Sequence, residues 1–421
     1  MLAHTLPIAS LMSGVALLLI GNGLLGTLVA VRGTEEGFSD AFLGLLGSGY
    51  FAGYLVGSIF ARPLIQRVGH IRAFAFFAAG IAGIALLHGL LVSPMTWVVL
   101  RVLAGAAIVS LYTLIESWLN DQTPQALRGR IFAIYMVVNQ LSLALAQQIL
   151  RFDSAETLAL FTVSALFVCL AVMPVTATRL TQPVAHRAAS FSLLRIMRVA
   201  PVAATSALLT GMAMGAFWTM GPVYASRAGY GEHWVALFMS AGIVGGAVLQ
   251  WPLGVLSDRG DRRKALAVAA SLAALSALPL LAGDLGDTAA IVAIALFGGF
   301  AFAIYPLAVA HLVDHLSADN IVAGSSAVLL LHGVGAAVGP LAVGLSMAWL
   351  GPSALAVHFI VTHALLALIA WAVARRYPEE MIEHAHFVPM MRTSATVLEI
   401  MPTSEPDDDS APAPAPQSNA R

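Results

Sequence analysis

Apolar residues run through this chain in segments of about twenty, parted by short polar breaks, from Ser10 to about Ala374. Within a segment the apolar character covers all sides of a helix and leaves no polar face. About 20 residues at 1.5 Å each cross the hydrocarbon core of a bilayer, where every backbone N–H and C=O must be satisfied inside its own helix. The pattern therefore predicts spanning helices near 10–31, 41–61, 73–93, 97–117, 131–150 and 157–178, and a second set near 201–221, 234–256, 265–283, 288–312, 322–348 and 353–374. Turn chemistry marks breaks at Ser93-Pro94, Gly221-Pro222, Gly283-Asp284 and Gly351-Pro352. The first segment lacks a charged leader and a small-x-small cleavage site, and it outruns the roughly 7–15 residues of a signal-peptide core, so it reads as the first span.

Composition narrows the class further. With 10% charged and 59% hydrophobic residues, 421 residues cannot supply the hydrophilic helix faces of a soluble enzyme. The net charge of −1 hides an asymmetry. If the N-terminus is cytoplasmic, the inner segments hold Arg62, Arg67, Arg72, Arg128, Arg130, Arg179, Arg187, Arg195, Arg198, Arg259, Arg262, Arg263 and Lys264. The outer segments keep Arg32, Arg151 and Arg227, with Arg101 buried near that side. Basic loops stay in the cytoplasm, so both termini are expected there. The basic stretch 179–200, with an amphipathic piece from Phe191 to Arg198, divides a first six-helix unit (1–178) from a second (201–375). Beyond it, 376–421 contains Pro378, Asp407-Asp408-Asp409 and an Ala-Pro alternation at 411–416, which predicts a passive, disordered cytoplasmic tail.

The lone Cys169 permits no intrachain disulfide, and no metal-ligand spacing or P-loop is present. Gly21-Asn22-Gly23-Leu24-Leu25-Gly26 matches a dinucleotide fingerprint literally, but no strand precedes it and it lies within a span. No cofactor, no metal, no ATP-driven step and no nucleic-acid partner are expected.

The two halves echo each other. After the second span the chain reads Gln66-Arg67-Val68-Gly69-His70-Ile71-Arg72, and after the eighth Asp258-Arg259-Gly260-Asp261-Arg262-Arg263-Lys264. Gly49, Gly53 and Gly57 recur every four residues before the first; Gly242, Gly246 and Gly254, with Gln250 in the remaining place, form one row before the second. Small residues at that spacing let a neighbouring backbone approach closely. Internal repetition of this kind is expected of a transporter that rocks one bundle against the other around a central site.

Gly254-Val255-Leu256-Ser257-Asp258-Arg259-Gly260-Asp261-Arg262-Arg263 resembles the loop motif G-x-x-x-D-R-x-G-R-R of the major facilitator superfamily, and Arg101-Val102-Leu103-Ala104-Gly105 resembles the R-x-x-x-G of its fourth helix. The likeness spans the membrane portion. Glu116-Ser117-Trp118 through Arg128-Gly129-Arg130, and the run from His332 to Gly339-Pro340, are similar to the YcaD-like branch. The first-half loop departs from the motif, with Gln66 in place of Asp and Arg62 in place of Gly. The fifth span lacks the G-x-x-x-G-P pattern of drug/proton antiporters.

Polar side chains are costly against lipid and usually face the bundle interior. Asn22 lies near the middle of the first span, Asn139 and Gln140 near the middle of the fifth, and His332 near the middle of the eleventh. Matching Asp121 to Asp314 sets Asn139 opposite His332 in the repeat. These four residues are expected to line a solute cavity, with Trp218, Tyr224 and Tyr305 as aromatic candidates for its wall. The competing roles are interhelical hydrogen bonds, worth about 0.6 kcal/mol and up to about 1.7, and aromatic anchoring at span ends. His88, His358 and His363 read as packing residues.

Arg101 sits roughly 6 Å inside the outer end of its span, within reach of snorkelling and at the depth of Gln147 and Gln148. The resemblance implies a role for it in anion binding or coupling. Glu116 lies near the cytoplasmic end of the fourth span, on the side of Arg67, Arg128 and Arg130. An ion pair formed there only when the cytoplasmic mouth is closed would bias a two-state balance, for which a few kcal/mol suffice. Asp258 with Arg259 is placed to do the same in the second half, and the resemblance extends the gate to Arg262. The competing role is a static surface pair, worth about 0–1 kcal/mol.

The expected fold is all-α, with twelve transmembrane helices in two pseudo-symmetric six-helix bundles and both termini inside. The expected function is non-enzymatic secondary transport of a small organic solute by alternating access. The setting is the lipid bilayer of a bacterial inner membrane and the chain is expected to be a monomer. Proton coupling through Arg101 and Glu116, exchange and uniport all remain open. The alternative is a transporter-like sensor or assembly factor that binds a ligand without moving it.

Overall fold

A computed structural model describes residues 2–124, 127–178, 193–229, 231–282, 286–317 and 320–376, together with Phe387 and Met390. Among them are thirteen α-helices and no strand. In the first half α1 is Leu2–Glu35, α2 Asp40–Val68, α3 His70–Leu90, α4 Pro94–Gln122, α5 Arg128–Ile149 and α6 Leu158–Ala177. The short α7, Leu193–Val199, leads into α8 Pro201–Arg227, α9 Glu232–Ser257, α10 Arg262–Ala277, α11 Asp287–Val313, α12 Ile321–Leu350 and α13 Ala354–Arg376.

Among the described residues, eleven continuous stretches are long and apolar enough to cross a bilayer, and the last, Ala323–Arg376, holds 54 residues. It folds back at Gly351, whose φ of 61° admits the 3-10 turn Gly351–Ser353, so α12 and α13 cross separately. All twelve expected spans are present. Their ends follow local chemistry: Ser39 caps α2 by accepting from the Phe42 N–H, Pro94 and Pro201 open α4 and α8, and Asp261 caps α10 by accepting from the Arg263 N–H.

One break is corrected. The chain does not turn at Gly221-Pro222; α8 continues to Arg227. Pro222 cannot donate to the Trp218 carbonyl, but membrane helices tolerate such a gap where neighbouring elements shelter the freed group. Gly283-Asp284 lies outside the described residues, as do Phe191 and Ser192 of the predicted amphipathic piece, the rest of which α7 covers.

The halves are built alike. In the first, α2 packs on α4, α1 on α5 and α6, and α3 on α4 and α6; in the second, α9 packs on α11, α8 on α12 and α13, and α10 on α11 and α13. Across the interface α2 meets α12, α9 meets α5, and α1 meets α8, as a pseudo-twofold relation requires. The tightest pairs rest on glycine. A Cβ at Gly53 would strike the Val102 backbone, and one at Gly298 the Gly242 backbone. The first glycine row thus does what its spacing predicts. In α9 the row diverges, since Gly254 is covered by the Phe387 ring and not by a neighbouring helix.

Large apolar side chains cover the outside, among them Phe60, Phe76, Leu103, Val137, Met173, Trp349 and Leu368, which suits a surface solvated by lipid tails. Hydrogen bonds joining the halves gather at the end marked by Asp40. There Arg227 pairs with Asp40 at 2.9 Å, Gln148 Nε2 donates to Ser240 Oγ at 2.6 Å, the Ala155 N–H donates to Glu232 at 2.7 Å, and the Leu341 N–H donates to Ser48 at 3.1 Å. Gly44 and Gly344 meet with almost no side chain between them. The opposite end is marked by Asp258.

Candidate functional site

Two adjoining hollows lie between the halves. One, of about 100 Å³, is lined by Asn22 and Thr27 of α1, Tyr50 and Tyr54 of α2, Arg101 and Tyr112 of α4, and Trp218 and Thr219 of α8. The other, of about 60 Å³, is lined by Gln140 of α5, Met214 and Trp218 of α8, Gln250 of α9, Phe302 and Tyr305 of α11, His332 of α12, and Met390. Trp218 is a wall of both, so the hollows form one region to which both halves contribute. A larger apolar hollow of about 830 Å³ between α10 and α11 lies on the bundle's flank, beside the exposed Leu275 and Val292.

Arg101 does not snorkel. It is 4% exposed, its guanidinium carbon lies 4.3 Å from the Tyr50 ring centroid, and among the described residues no carboxylate forms an ion pair with it. A cation over an aromatic face gains up to about 2 kcal/mol when desolvated, less than full compensation for a buried charge. Nor do the two glutamines serve Arg101. Gln147 Oε1 accepts from Thr27 at 2.6 Å, and Gln148 reaches across the interface to α9. Their helix turns them toward α1 and α9.

Asn22 Nδ2 lies 3.5 Å from the Tyr50 hydroxyl, within the Arg101 hollow. Gln140 is buried, and its amide nitrogen and oxygen have no hydrogen-bond partner among the described residues. Asn139 instead donates to the Tyr135 carbonyl of its own helix at 2.8 Å and is absent from both walls. One residue along a helix is a rotation of about 100°, so Gln140 and His332 share a wall where the repeat had pointed to Asn139 and His332. The His332 and Tyr305 ring centroids are 4.7 Å apart.

Glu116 is fully buried and accepts from the Tyr135 hydroxyl at 2.9 Å; Arg67 and Arg130 are exposed at that end and Arg128 is half-buried. In the second half the expected partner of Asp258 is corrected. Asp258 pairs with Arg262 at 2.8 Å, four residues on, while Arg259 is exposed. Arg262 is buried. It also donates to Asp314 at 2.6 Å and to Ser257 at 3.1 Å, tying together α9, α10 and the C-terminal end of α11. Sequence reasoning passed over Asp314; its one signal was its place opposite Asp121 in the repeat. Tyr224 donates to the Leu280 carbonyl at 3.0 Å, away from the cavity, and His88 and His363 each bond the carbonyl four residues back.

Twelve spans in two repeats around a polar hollow are the architecture of a membrane transporter. Two overlapping stretches, residues 11–340 and 236–394, match the family model described as Major Facilitator Superfamily, and the chain belongs to that family. It is 28% identical over 347 residues to the uncharacterised MFS-type transporter YcaD of Escherichia fergusonii, a match covering 80% of this chain and 88% of the relative. It is 29% identical over 350 residues to YcaD of Escherichia coli O7:K1, covering 81% and 88%. Among solved structures, the nucleoside transporter NupG superposes with a TM-score of 0.73 at 13% identity, covering 89% of this chain and 100% of that one. A bacterial homologue of the human lysosomal transporter Spinster, inward-facing and occupied, superposes with a TM-score of 0.71 at 14% identity, covering 89% and 98%. At such identities the likeness speaks for the fold alone. The protein is a multi-pass membrane transporter of small-molecule solutes and is not an enzyme.

Proposed function

We propose that this transporter moves a small organic solute carrying one anionic group, by alternating access, with Arg101 as the anion site. The carrying observation is a buried guanidinium that faces a hollow and forms no ion pair among the described residues. Keeping such a charge in the membrane interior is expensive, which marks it for function. The unpartnered Gln140 amide and the aromatic walls of Trp218, Phe302 and Tyr305 suit the polar and apolar remainder of the solute, and His332 completes the second-half wall.

The rocking units are the halves 1–178 and 201–375. The bias of basic residues toward the Asp258 end supports placing that end and both termini in the cytoplasm of a bacterial inner membrane. Contacts joining the halves at the Asp40 end then make this an inward-facing arrangement, closed to the outside. The Asp258–Arg262–Asp314 network acts as a latch within the second half, whereas Glu116 and the Arg67, Arg128 and Arg130 cluster serve the first. A proton-coupled cycle would pass through Glu116; exchange or uniport would not need it.

Counterflow in proteoliposomes tests the reading, using a panel of monocarboxylates and their neutral amides. The native protein should exchange one acid and refuse its amide, and Arg101→Ala should weaken that exchange about a hundredfold, as loss of a desolvated charged contact implies. Equal exchange of acid and amide, unaffected by Arg101→Ala, would sink the anion site. Binding without counterflow would favour a sensor.

A further inference from the structure

Phe387 and Met390 lie about ten residues and more beyond the end of α13 in sequence, yet both sit against α9. The Phe387 N–H donates to both oxygens of Asp258, at 3.0 and 3.2 Å. Its ring covers the bare face of Gly254. The Met390 carbonyl accepts from Gln250 Nε2 at 2.9 Å, and its side chain, 4% exposed, forms part of the wall that holds Gln140, Tyr305 and His332. Gln250, Gly254 and Asp258 are spaced by four, so the anchors share one row along α9.

Each anchor has a distinct physical basis. An N–H donated to a carboxylate is charge-assisted and stronger than a neutral bond. Glycine leaves room for an aromatic ring that any Cβ would displace. Methionine is flexible and polarisable, and it fills irregular space beside aromatic rings. Met390 reaches the hollow on the side of Gln250, between the cavity and the Asp258 end.

We propose that the segment carrying Phe387 and Met390 is a built-in competitor for the solute cavity: Phe387 docks on Asp258 and Gly254, Met390 occupies the second-half wall, and solute entering from the Asp258 end must displace them. The cavity's role as the solute site rests on the reading above; the docking itself does not. A tethered segment needs little intrinsic affinity, because a short tether holds it at an effective concentration in the millimolar range. Apparent solute affinity is the intrinsic affinity multiplied by the fraction of molecules left undocked.

The test uses the full-length chain with Cys169→Ser and a reporter at Ala301→Cys in the same wall. A small hydrophilic maleimide is applied to detergent-solubilised protein. Phe387→Asp combined with Met390→Asp should speed labelling about tenfold, the factor expected for a segment docked about nine-tenths of the time. Gln250→Ala should act in the same direction and less strongly, because Phe387 keeps its own anchors. Unchanged labelling in both variants would overturn the docking. Counterflow, measured in parallel without the reporter, should show tighter apparent solute affinity in the double tail variant. Faster labelling with no counterflow in any variant would uphold the docking and overturn the transport reading instead.

Discussion

The turn between α9 and α10 and the turn between α2 and α3 hold the same place in the two halves, and they are built from different chemistry. In the second half the first residue of α10, Arg262, is buried and bonded to Asp258, Ser257 and Asp314. In the first half the first residue of α3 is His70, whose Nε2 lies 3.5 Å from Ser117 Oγ and whose ring lies 5.7 Å from that of Trp118. Gln66 stands exposed where the second half has Asp258, and Asp121, opposite Asp314 in the repeat, is exposed as well. One turn is a charged network across three helices; the other sets an imidazole against an indole, with Asp121 near it. Separating buried opposite charges costs far more than sliding one ring over another. The second half should therefore hold its shape through the transport cycle while the first half yields more readily. The tail residues add to this asymmetry, because Phe387 docks on the same Asp258.

Three comparisons would break or sharpen that contrast, and the largest effect should come from Asp314→Leu. It leaves Arg262 buried with one carboxylate fewer and should cost about 3–5 kcal/mol, read from thermal or denaturant unfolding in detergent. The matched Asp121→Leu should stay within about 0.5 kcal/mol. Equal losses would show that the two turns are energetically alike. Next, His70→Arg should destabilise by about 1–2 kcal/mol, since it buries a guanidinium that has Asp121 nearby but Gln66 where its counterpart has the Asp258 carboxylate. Adding Gln66→Asp should recover part of that loss, and failure to recover would mean that register, not charge, sets the difference. The smallest effect should follow Arg259→Ala, within about 0.5 kcal/mol, because its side chain is exposed while Arg262 carries the pairing. A loss comparable to that of Asp314→Leu would restore Arg259 to the latch.

Much of the fold was legible in the sequence, since length and hydropathy alone define a spanning helix. The end of α8 was not, because a proline that halts a helix in water can be carried within a membrane bundle. Arg101 and Gln140 stood out as polar groups in apolar runs. Their surroundings did not, since the Tyr50 ring comes from another helix and depends on rotation about two axes. The same cause separates Gln140 from Asn139. The Asp258–Arg262 pair was legible in principle, as four residues bring side chains together across a helical turn, whereas the adjacent Arg259 drew the eye. The tail carried one overlooked signal. Phe387-Val388-Pro389-Met390-Met391 is an apolar island between polar and charged residues.

The seal at the Asp40 end joins two forces of very different range. A Cβ on Gly44 would stand 3.1 Å from the Gly344 Cα, so backbone there touches backbone. Dispersion between such surfaces loses a quarter to a half of its strength over a gap of about 0.5–1 Å, which makes the contact short-ranged: it weakens as soon as the two faces part. The nearby Arg227–Asp40 pair attracts as the inverse of distance and is still felt several ångströms out. The glycine face acts as a snap fastener and the ion pair as the guide that brings its two parts back into register. Lengthening the reach of the guide should speed reclosing, whereas roughening the fastener should change how long the Asp40 end stays shut.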